Sequence, residues 1–281
     1  MQLALYAVPA AFVLLFALEQ AFPLRRTKSP LLRRLFVNAC VAALALGVAA
    51  ILVRPLALAL LEHSSGFGVL SVVTLPRWAQ WMAGFLLLDL SFYYWHRGNH
   101  AWRFLWRFHN AHHVDPDLDT STAFRFHFME IGFSAGFRAI QVVTIGGPPS
   151  IFIAYELAFQ LNTLFQHSNV RLPVTAERWL SRVLVTPRMH GVHHSKVREE
   201  NNSNWSSVFS FWDRAHGTLR LNVPQSEVDV GMAGYSLPGD NRVENILLMP
   251  FRRQRDYWRG ADGQDQIERS SAERSPSRMA E

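Results

Sequence analysis

Three short motifs in this chain concentrate histidines at spacings that suit metal binding. HRGNH occupies residues 96–100, HNAHH residues 109–113 and HGVHH residues 190–194. Side chains three or four positions apart share one face of a helix, so each motif would project its imidazoles in one direction. Imidazole binds iron, zinc, copper and nickel. Eight clustered histidines exceed the roughly four ligands of a single zinc ion. They suit two metal ions of higher coordination number.

Two more histidines bracket an apolar segment that lies between the second and third motifs. His127 opens this segment and His167 closes it, so a helical hairpin would return both to the same side. The predicted metal ligands are therefore His96, His100, His109, His112, His113, His127, His167, His190, His193 and His194. The two remaining histidines, His63 and His216, are interpreted as surface or structural polar groups.

Helix arithmetic also predicts groups that would orient these ligands. Asp89 and Tyr93 lie in one stripe with His96, and an aspartate inside an apolar segment is a costly group that suggests a function. A carboxylate that accepts the second ring N–H of a ligating histidine fixes its tautomer. Glu130, close after His127, could act in the same way. The alternative for Asp89 is a purely structural pairing with an arginine.

The elements that must position these residues are predicted to be membrane helices. The segments 1–18 and 35–53 contain no charged residue, and each is close to the roughly 17–25 residues that cross a bilayer. A third apolar segment covers 78–95, and residues 129–166 form two apolar halves joined at a Gly-Gly-Pro-Pro turn. We expect an all-α integral membrane protein with about four to five membrane-embedded helices. A cytoplasmic helical cap would hold the dimetal site.

The charge distribution predicts the orientation of these helices. Arginines and lysines concentrate at 24–34 and 96–127, whereas the segment between the second and third spans is nearly uncharged. By the positive-inside rule, the basic segments and the chain after about residue 167 are cytoplasmic. The net charge of +6 then matches anionic membrane headgroups, so no nucleic-acid partner is expected. The single cysteine, Cys40, offers neither a disulfide nor a thiolate metal site.

These patterns divide the chain into four regions. Residues 1–77 are predicted to be an N-terminal anchor of two transmembrane helices, and 78–220 the histidine-rich domain, including the hairpin 129–166. Residues 221–260 would be a cytoplasmic C-terminal extension. The polar, mixed-charge segment 261–281 is predicted to be a disordered tail.

Several motifs together resemble the fatty acid hydroxylase / sterol desaturase superfamily of integral membrane non-haem di-iron oxygenases. They are DLSFYYWHRGNH (89–100), HNAHH, FRFHFME (124–130), FQHSN (165–169), TPRMHGVHH (186–194) and NNSNWSSVFSFWDRAHGT (201–218). The resemblance implies a membrane anchor beneath a cytoplasmic cap, with the ten histidines named above as iron ligands. Phe128 stands where many relatives have proline, and His216 where an aromatic residue is common.

The resemblance also implies a reaction. Two iron ions would use O2 and electrons from a separate reductase to hydroxylate or desaturate a C–H bond of a lipid drawn from the bilayer. The lipid could be a fatty acyl, sterol-like or other isoprenoid compound, and zinc could replace iron in purified protein. We expect the inner membrane as the location. A carotenoid hydroxylase is one alternative, and a membrane metal-binding or metal-transport protein is a second, although transporter sites normally lie near the bilayer midplane.

Overall fold

The computed structural model describes residues 2–63 and 66–268, and the regular secondary structure within these ranges is helical. Isolated β-bridges occur in these ranges, but no β-strand. The all-α prediction is confirmed there. The predicted tail begins at residue 261, and its residues 269–281 lie outside the described part of the chain. The side chain of His63 also lies outside the described part.

The longer helices form the body of the molecule and the shorter ones lie toward its C-terminal half. The α-helices are α1 (Gln2–Ala21), α2 (Leu31–Val48), α3 (Arg54–His63), α4 (Val69–Val72), α5 (Arg77–Ala101), α6 (Arg103–His113), α7 (Phe128–Ile145), α8 (Pro149–His167), α9 (Val174–Leu180), α10 (Pro187–His193), α11 (Arg198–Asn201), α12 (Phe211–Ala215) and α13 (Val243–Leu248). A π-helical segment (Ala49–Val53) connects α2 to α3, and 3₁₀ turns cover Thr120–Phe124, Gln225–Glu227, Ala233–Tyr235 and Met249–Phe251.

Two helical stretches in the described part of the chain are long and apolar enough to cross a bilayer. They are Leu31–Glu62, with 32 residues and a mean hydropathy of 2.5, and α7, with 18 residues and 1.2. The apolar part of α1, Leu5–Ala21, is shorter, and α5 and α8 do not pass the same test. α5 carries Asp89 and two arginines within its 25 residues. The span count of four to five therefore stays a prediction.

The predicted hairpin 129–166 is present as α7 and α8. Gly146, at the turn between them, has φ of +67°, and a side chain there would collide with the carbonyl of Phe67. Glycine is therefore the residue that allows this close backbone approach. Two of the charged residues inside the hairpin pair with each other, with Arg138 Nη2 2.6 Å from Glu156 Oε2. The Arg138 guanidinium also lies over the Phe92 ring of α5, 4.3 Å from its centroid.

The C-terminal segment 221–260, predicted as an extension, is part of the main core. Met232, Tyr235, Ile246 and Met249 are buried in one apolar cluster with residues of α2 and α6, among them Trp106. Burial of this apolar surface stabilises the position of α6, which carries the HNAHH motif. The segment therefore helps to place the histidines.

A buried charge network joins α2 to the loop that follows α6. Arg34, 1% exposed, lies among Asp115, Asp117 and Asp119 and forms its shortest contact with Asp119. Asp119 also caps the turn Thr120–Phe124 through a capping box. Buried charges are tolerated when they are paired in this way, and removing one partner of such a pair is strongly destabilising. The network holds the loop between HNAHH and α7 against the N-terminal helices.

Candidate metal centre

The structure brings nine of the ten predicted histidines together in two adjacent groups. The five-histidine group consists of His96, His100, His109, His113 and His193; the four-histidine group consists of His112, His167, His190 and His194. Within each group, one ring nitrogen from every member lies within 4.8 Å of the others. The first group draws on α5, α6 and α10, and the second on α6, α8 and α10 together with the residue after it.

The two HxxHH motifs divide their histidines between the groups in opposite ways. HNAHH sends its first and last histidines, at i and i+4, to the five-histidine group and its middle one to the four-histidine group. HGVHH sends its first and last histidines to the four-histidine group and its middle one to the other. Residues at i and i+4 are stacked on one helix face, whereas i+3 is displaced around the axis. Each motif therefore supplies both groups.

The local sequence explains how the HGVHH helix begins. Thr186 is the N-cap of α10: its hydroxyl accepts a hydrogen bond from the backbone N–H of Met189, and Pro187 occupies the first turn. Gly191 faces the guanidinium of Arg25, and a β-carbon at this position would overlap it. Arg25 in turn donates to the side chain of Gln225 at 2.6 Å. α10 therefore packs directly against a partly buried arginine from the segment after α1.

The four-histidine group has the donor geometry of a metal site. Nε2 of His167 lies 3.0 Å from Nε2 of His112 and 2.9 Å from Nε2 of His190. Nδ1 of His112 faces the carbonyl of Arg125 at 3.1 Å, and Nδ1 of His167 faces that of Thr163 at 2.7 Å. Carbonyls only accept, so these Nδ1 atoms carry the hydrogen and both Nε2 atoms present lone pairs.

Two lone pairs facing each other at this distance repel unless a cation lies between them. A metal–imidazole bond is about 2.1 Å long. Two such bonds at a right angle put their nitrogens about 3.0 Å apart, which matches the separations in this group. The four-histidine group therefore fits a metal ion.

The five-histidine group has a different set of supports. Nδ1 of His96 donates to the carbonyl of Trp205 at 3.0 Å, and Nδ1 of His193 donates to that of Ser203 at 2.8 Å. Nδ1 of His109 lies 2.7 Å from Oε1 of Glu130, a contact that orients a ligating imidazole. The buried Nε2 atoms of His109, His113 and His193 have no hydrogen-bond partner. Buried polar atoms are rarely left unpaired, so these atoms also fit a metal ion.

The environment keeps most of these imidazoles neutral. Burial is the main cause that lowers the pKa of His112, His190 and His194 well below the ordinary value, and neighbouring histidines lower it further. Burial also lowers the pKa of His193 to about 3. Metal ligation requires the deprotonated imidazole. These four imidazoles are therefore in the protonation state that binds metal.

The position of His127 differs from the prediction. Its Nδ1 accepts a hydrogen bond from the backbone N–H of Met129, so that it caps α7, and its Nε2 donates to the carbonyl of Leu247 at 3.2 Å. Both ring nitrogens of His127 thus have hydrogen-bond partners in this structure, and its role as a metal ligand stays a prediction. His127 belongs to neither histidine group.

Asp89 and Tyr93 also have other partners than predicted. The Asp89 carboxylate accepts four hydrogen bonds: from the Tyr155 hydroxyl, the backbone N–H groups of Val208 and Phe209, and the Trp212 indole. Among the described residues it forms no hydrogen bond or ion pair with a histidine or an arginine; it anchors residues 208–212 to α5. The Tyr93 hydroxyl lies 3.0 Å from the Thr218 hydroxyl.

His216 has the structural role that the sequence suggested. Its Nδ1 donates to the Trp212 carbonyl at 2.8 Å and its Nε2 lies 2.9 Å from the Tyr94 hydroxyl. Its ring also stacks on that of Tyr93, with the centroids 4.5 Å apart. Tyr93 therefore stacks on this structural histidine rather than on a member of either group.

Sequence reasoning missed the segment 201–213 as a support of the site. The segment supplies the Ser203 and Trp205 carbonyls, and the Asn201 amide lies 3.1 Å from Nδ1 of His113. The buried Asp213 accepts from the backbone N–H groups of Trp205 and Ser206 and so holds the segment in shape. The Asn- and Ser-rich composition of 201–207 was the available signal, because such residues bond to backbone in turns.

Fold and site together define a class: an all-helical protein with apolar helices of membrane-spanning length and two buried histidine groups able to hold metal. The family model described as fatty acid hydroxylase matches residues 81–218, which include every member of both groups. The chain is similar to the fatty acid hydroxylase family over this region, and the resemblance found in the sequence is confirmed.

Three curated relatives show the range of this similarity. Ornithine lipid hydroxylase OlsE of Rhizobium tropici is 31% identical over 179 residues, 64% of this chain and 52% of that protein. Alkylglycerol monooxygenase of Homo sapiens is 33% identical over 142 residues, 50% of this chain and 30% of that protein. Cholesterol 25-hydroxylase of Homo sapiens is 31% identical over 146 residues, 50% of this chain and 51% of that protein. The chain spans about half or less of the length of these relatives, and no solved structure matches it significantly.

Proposed function

We propose that this protein is a membrane-bound non-haem di-iron oxygenase that hydroxylates a lipid. One observation carries the proposal: two adjacent groups of mostly buried histidines, in each of which one ring nitrogen of every member lies within 4.8 Å of the others. The family supports iron as the metal. The hydroxylases and monooxygenases among the relatives favour hydroxylation over desaturation, and a lipid over a metal ion as the substrate.

Each histidine group would hold one iron ion. Two bound iron ions would supply the reduction of O2 and the oxidation of a C–H bond. Backbone carbonyls fix the Nδ1–H tautomers of His96, His112 and His193, so that Nε2 is the ligand atom. Glu130 fixes His109 in the same way and adds a negative charge beside an otherwise neutral ligand shell.

The surroundings would serve this chemistry by excluding water. All members of the four-histidine group are buried, and three members of the five-histidine group are buried as well. A low-dielectric, water-poor site strengthens the electrostatic contacts within it and prevents side reactions. Two further contacts would keep the ligands fixed: α10 packs against Arg25, and Asp89 anchors residues 208–212.

The membrane arrangement is part of the same proposal. α1, the helix Leu31–Glu62, α5 and the hairpin of α7 and α8 would be embedded in the inner membrane, with both histidine groups on the cytoplasmic side. The basic residues of 24–34 and 96–127 support this orientation. Regions 1–77 and 78–220 would act as anchor and catalytic domain, and 221–260 would complete the cap. Electrons would come from a separate reductase.

Two measurements test the proposal. Protein purified anaerobically with ferrous iron should contain about two metal ions per chain, one for each group of at least four ligands. Lipid profiles of a deletion strain should lack a hydroxylated species that the wild-type gene restores and a His190→Ala, His193→Ala gene does not. Metal content near zero, or identical lipid profiles with and without the gene, would contradict the proposal. Histidine-dependent metal uptake with no change in lipids would favour a transporter.

A further inference from the structure

A cavity of about 730 Å³ lies directly beside the five-histidine group. Its wall is formed by the end of α5 with His100, the first turns of α6, Arg198 and Asn202, and the segment 254–258. This volume is in the range of small-molecule sites in proteins, about 300–1,000 Å³. The cavity therefore has the size to hold a ligand next to one of the proposed metal ligands.

The cavity wall is strongly basic. Four arginines line it, Arg103, Arg107, Arg198 and Arg255, against one acidic residue, Asp256. Arg255 pairs with Asp240, but in the described ranges no carboxylate forms a salt bridge with the other three arginines. Guanidinium groups bind phosphate and carboxylate through paired hydrogen bonds. The first turn of α6 adds backbone N–H groups and a helix dipole that also favour an anion.

Aromatic rings connect the arginines to the histidines. The Trp106 ring lies 4.6 Å from that of His100 and 6.3 Å from that of Trp258, centroid to centroid, and it is nearly parallel to Trp258. Tyr257 packs edge-on against Trp106 at 5.7 Å. Both ring nitrogens of His100 are buried without a hydrogen-bond partner. One wall of the cavity is thus apolar and leads from the arginines to the five-histidine group.

The cavity lies close to the membrane-facing part of the molecule. Phe104 in its wall is 58% exposed, and its ring is 5.5 Å from that of Phe133 on α7, one of the two candidate spans. Trp102, the N-cap of α6, is 68% exposed. Exposed aromatic side chains of this kind are enriched at the level of the lipid headgroups. A lipid could therefore place its headgroup in the cavity without leaving the bilayer completely.

We propose that this cavity binds the anionic headgroup of the lipid substrate, a phosphate or carboxylate held by Arg103, Arg107 and Arg198, with its chain along Trp106 toward His100. The inference deepens the proposed function and rests on it, because it names the class of lipid. A neutral lipid would leave three unpaired guanidinium groups facing its headgroup. A free anion would leave the aromatic wall uncovered.

Binding of defined probes to the iron-loaded, full-length protein in detergent tests this inference by calorimetry. The probes are dihexanoyl phosphatidate, dihexanoylglycerol and inorganic phosphate. Phosphatidate should bind at least about tenfold more tightly than either of the others, a difference that corresponds to about 1.4 kcal/mol. Equal binding of phosphatidate and dihexanoylglycerol would overturn the inference. Inorganic phosphate binding as tightly as phosphatidate would also overturn it, because the site would then be one for free anions.

Matched variants locate the site. Arg103→Gln with Arg107→Gln should weaken phosphatidate binding about tenfold or more, since two charge-assisted contacts are lost. Arg171→Gln with Arg178→Gln removes the same charge from exposed positions outside the cavity and should leave binding unchanged. Arg198→Gln, on the separate helix α11, gives a second test if the first pair does not fold. Equal effects of the cavity and control pairs would contradict the inference.

Iron content measured in the same samples separates this inference from the proposed function. Protein that holds iron in both groups but does not prefer phosphatidate leaves the oxygenase proposal intact and removes the headgroup site. Protein that prefers phosphatidate but holds no iron supports the headgroup site and contradicts the oxygenase proposal.

Discussion

The two histidine groups are adjacent and chemically alike, yet they are held in different ways. The four-histidine group is buried completely, and its Nε2 atoms contact one another. The five-histidine group has one more imidazole, two members that are only partly buried, and a cavity that reaches His100. One group is thus closed and has no spare ligand, whereas the other has a spare ligand and an open side.

The groups that orient the imidazoles also differ between the two histidine groups. Two carbonyls that orient the five-histidine group, those of Ser203 and Trp205, belong to the loop segment 201–213, and Glu130 adds a side-chain contact. The carbonyls that orient His112 and His167 belong to Arg125 and, within α8 itself, Thr163. Sites on regular helices are generally held more rigidly than sites that depend on loops. We therefore expect the four-histidine group to be the more rigid site and the five-histidine group the one at which O2 and substrate meet.

The largest effect should separate the two groups by ligand number. His190→Ala leaves three imidazoles in the four-histidine group, so iron content should fall from about two to about one per chain. His96→Ala leaves four in the other group and should retain close to two, with weaker binding of one. Metal analysis after anaerobic loading measures both. His216→Ala is the control, because in the part of the chain that the structure describes the hydrogen bonds and ring contacts of the His216 side chain go to Tyr93, Tyr94 and Trp212 and to no member of either group. Equal losses from His190→Ala and His96→Ala would remove the distinction between the groups.

The second effect should act on stability and leave metal content unchanged. Asp89→Asn replaces one carboxylate oxygen with an N–H donor, which then faces donors of segment 208–212. Leaving two buried donors unpaired should cost about 2–4 kcal/mol, seen as earlier thermal unfolding in detergent. Tyr155→Phe removes only one of the four contacts and should cost about 1 kcal/mol. If Asp89→Asn released metal at unchanged stability, Asp89 would have the ligand-orienting role that the sequence suggested.

The sequence predicted that most of these histidines come together, but not how they separate into two groups. Histidine type and spacing grouped ten histidines, and the structure brings nine of them together: His96, His100, His109, His112, His113, His167, His190, His193 and His194. The tenth, His127, lies outside both groups. The middle histidine of each motif, at i+3, belongs to a different group from the first and last. Neither HNAHH nor HGVHH alone predicts this, because it depends on how α6 and α10 approach each other. Asp89 shows a second limit: a helical stripe gives the face of a side chain, but not which loop folds onto that face.

The pattern of apolar residues likewise predicted some elements of the fold and missed others. It predicted the helix that begins near residue 35 and the hairpin of α7 and α8 with its turn at Gly146. It did not predict that 221–260 would enter the core against Trp106, because that segment has neither a long apolar run nor a regular period. Packing between segments distant in sequence decides such positions.

A smaller effect should come from Glu130. Glu130→Gln keeps the hydrogen bond to His109 but removes the negative charge, and losses of this kind typically weaken metal binding about 10–100-fold. Chelator competition on the His190→Ala background isolates the five-histidine group for this measurement. Glu156→Gln removes a carboxylate that pairs with Arg138 inside the hairpin and should leave metal affinity unchanged. Unchanged metal affinity in Glu130→Gln on this background would contradict the role of the Glu130 carboxylate at His109.

The smallest effect is expected at His127, and it decides whether nine or ten histidines serve the two groups. His127→Ala removes the N-cap of α7 and should lower stability by about 1 kcal/mol. His127→Asn should restore much of this stability, since asparagine is a favourable N-cap. Both variants should keep about two metal ions per chain, because neither ring nitrogen of His127 is available to a metal. Metal lost from both variants, with stability restored in His127→Asn, would mean that this imidazole leaves the helix cap to bind metal.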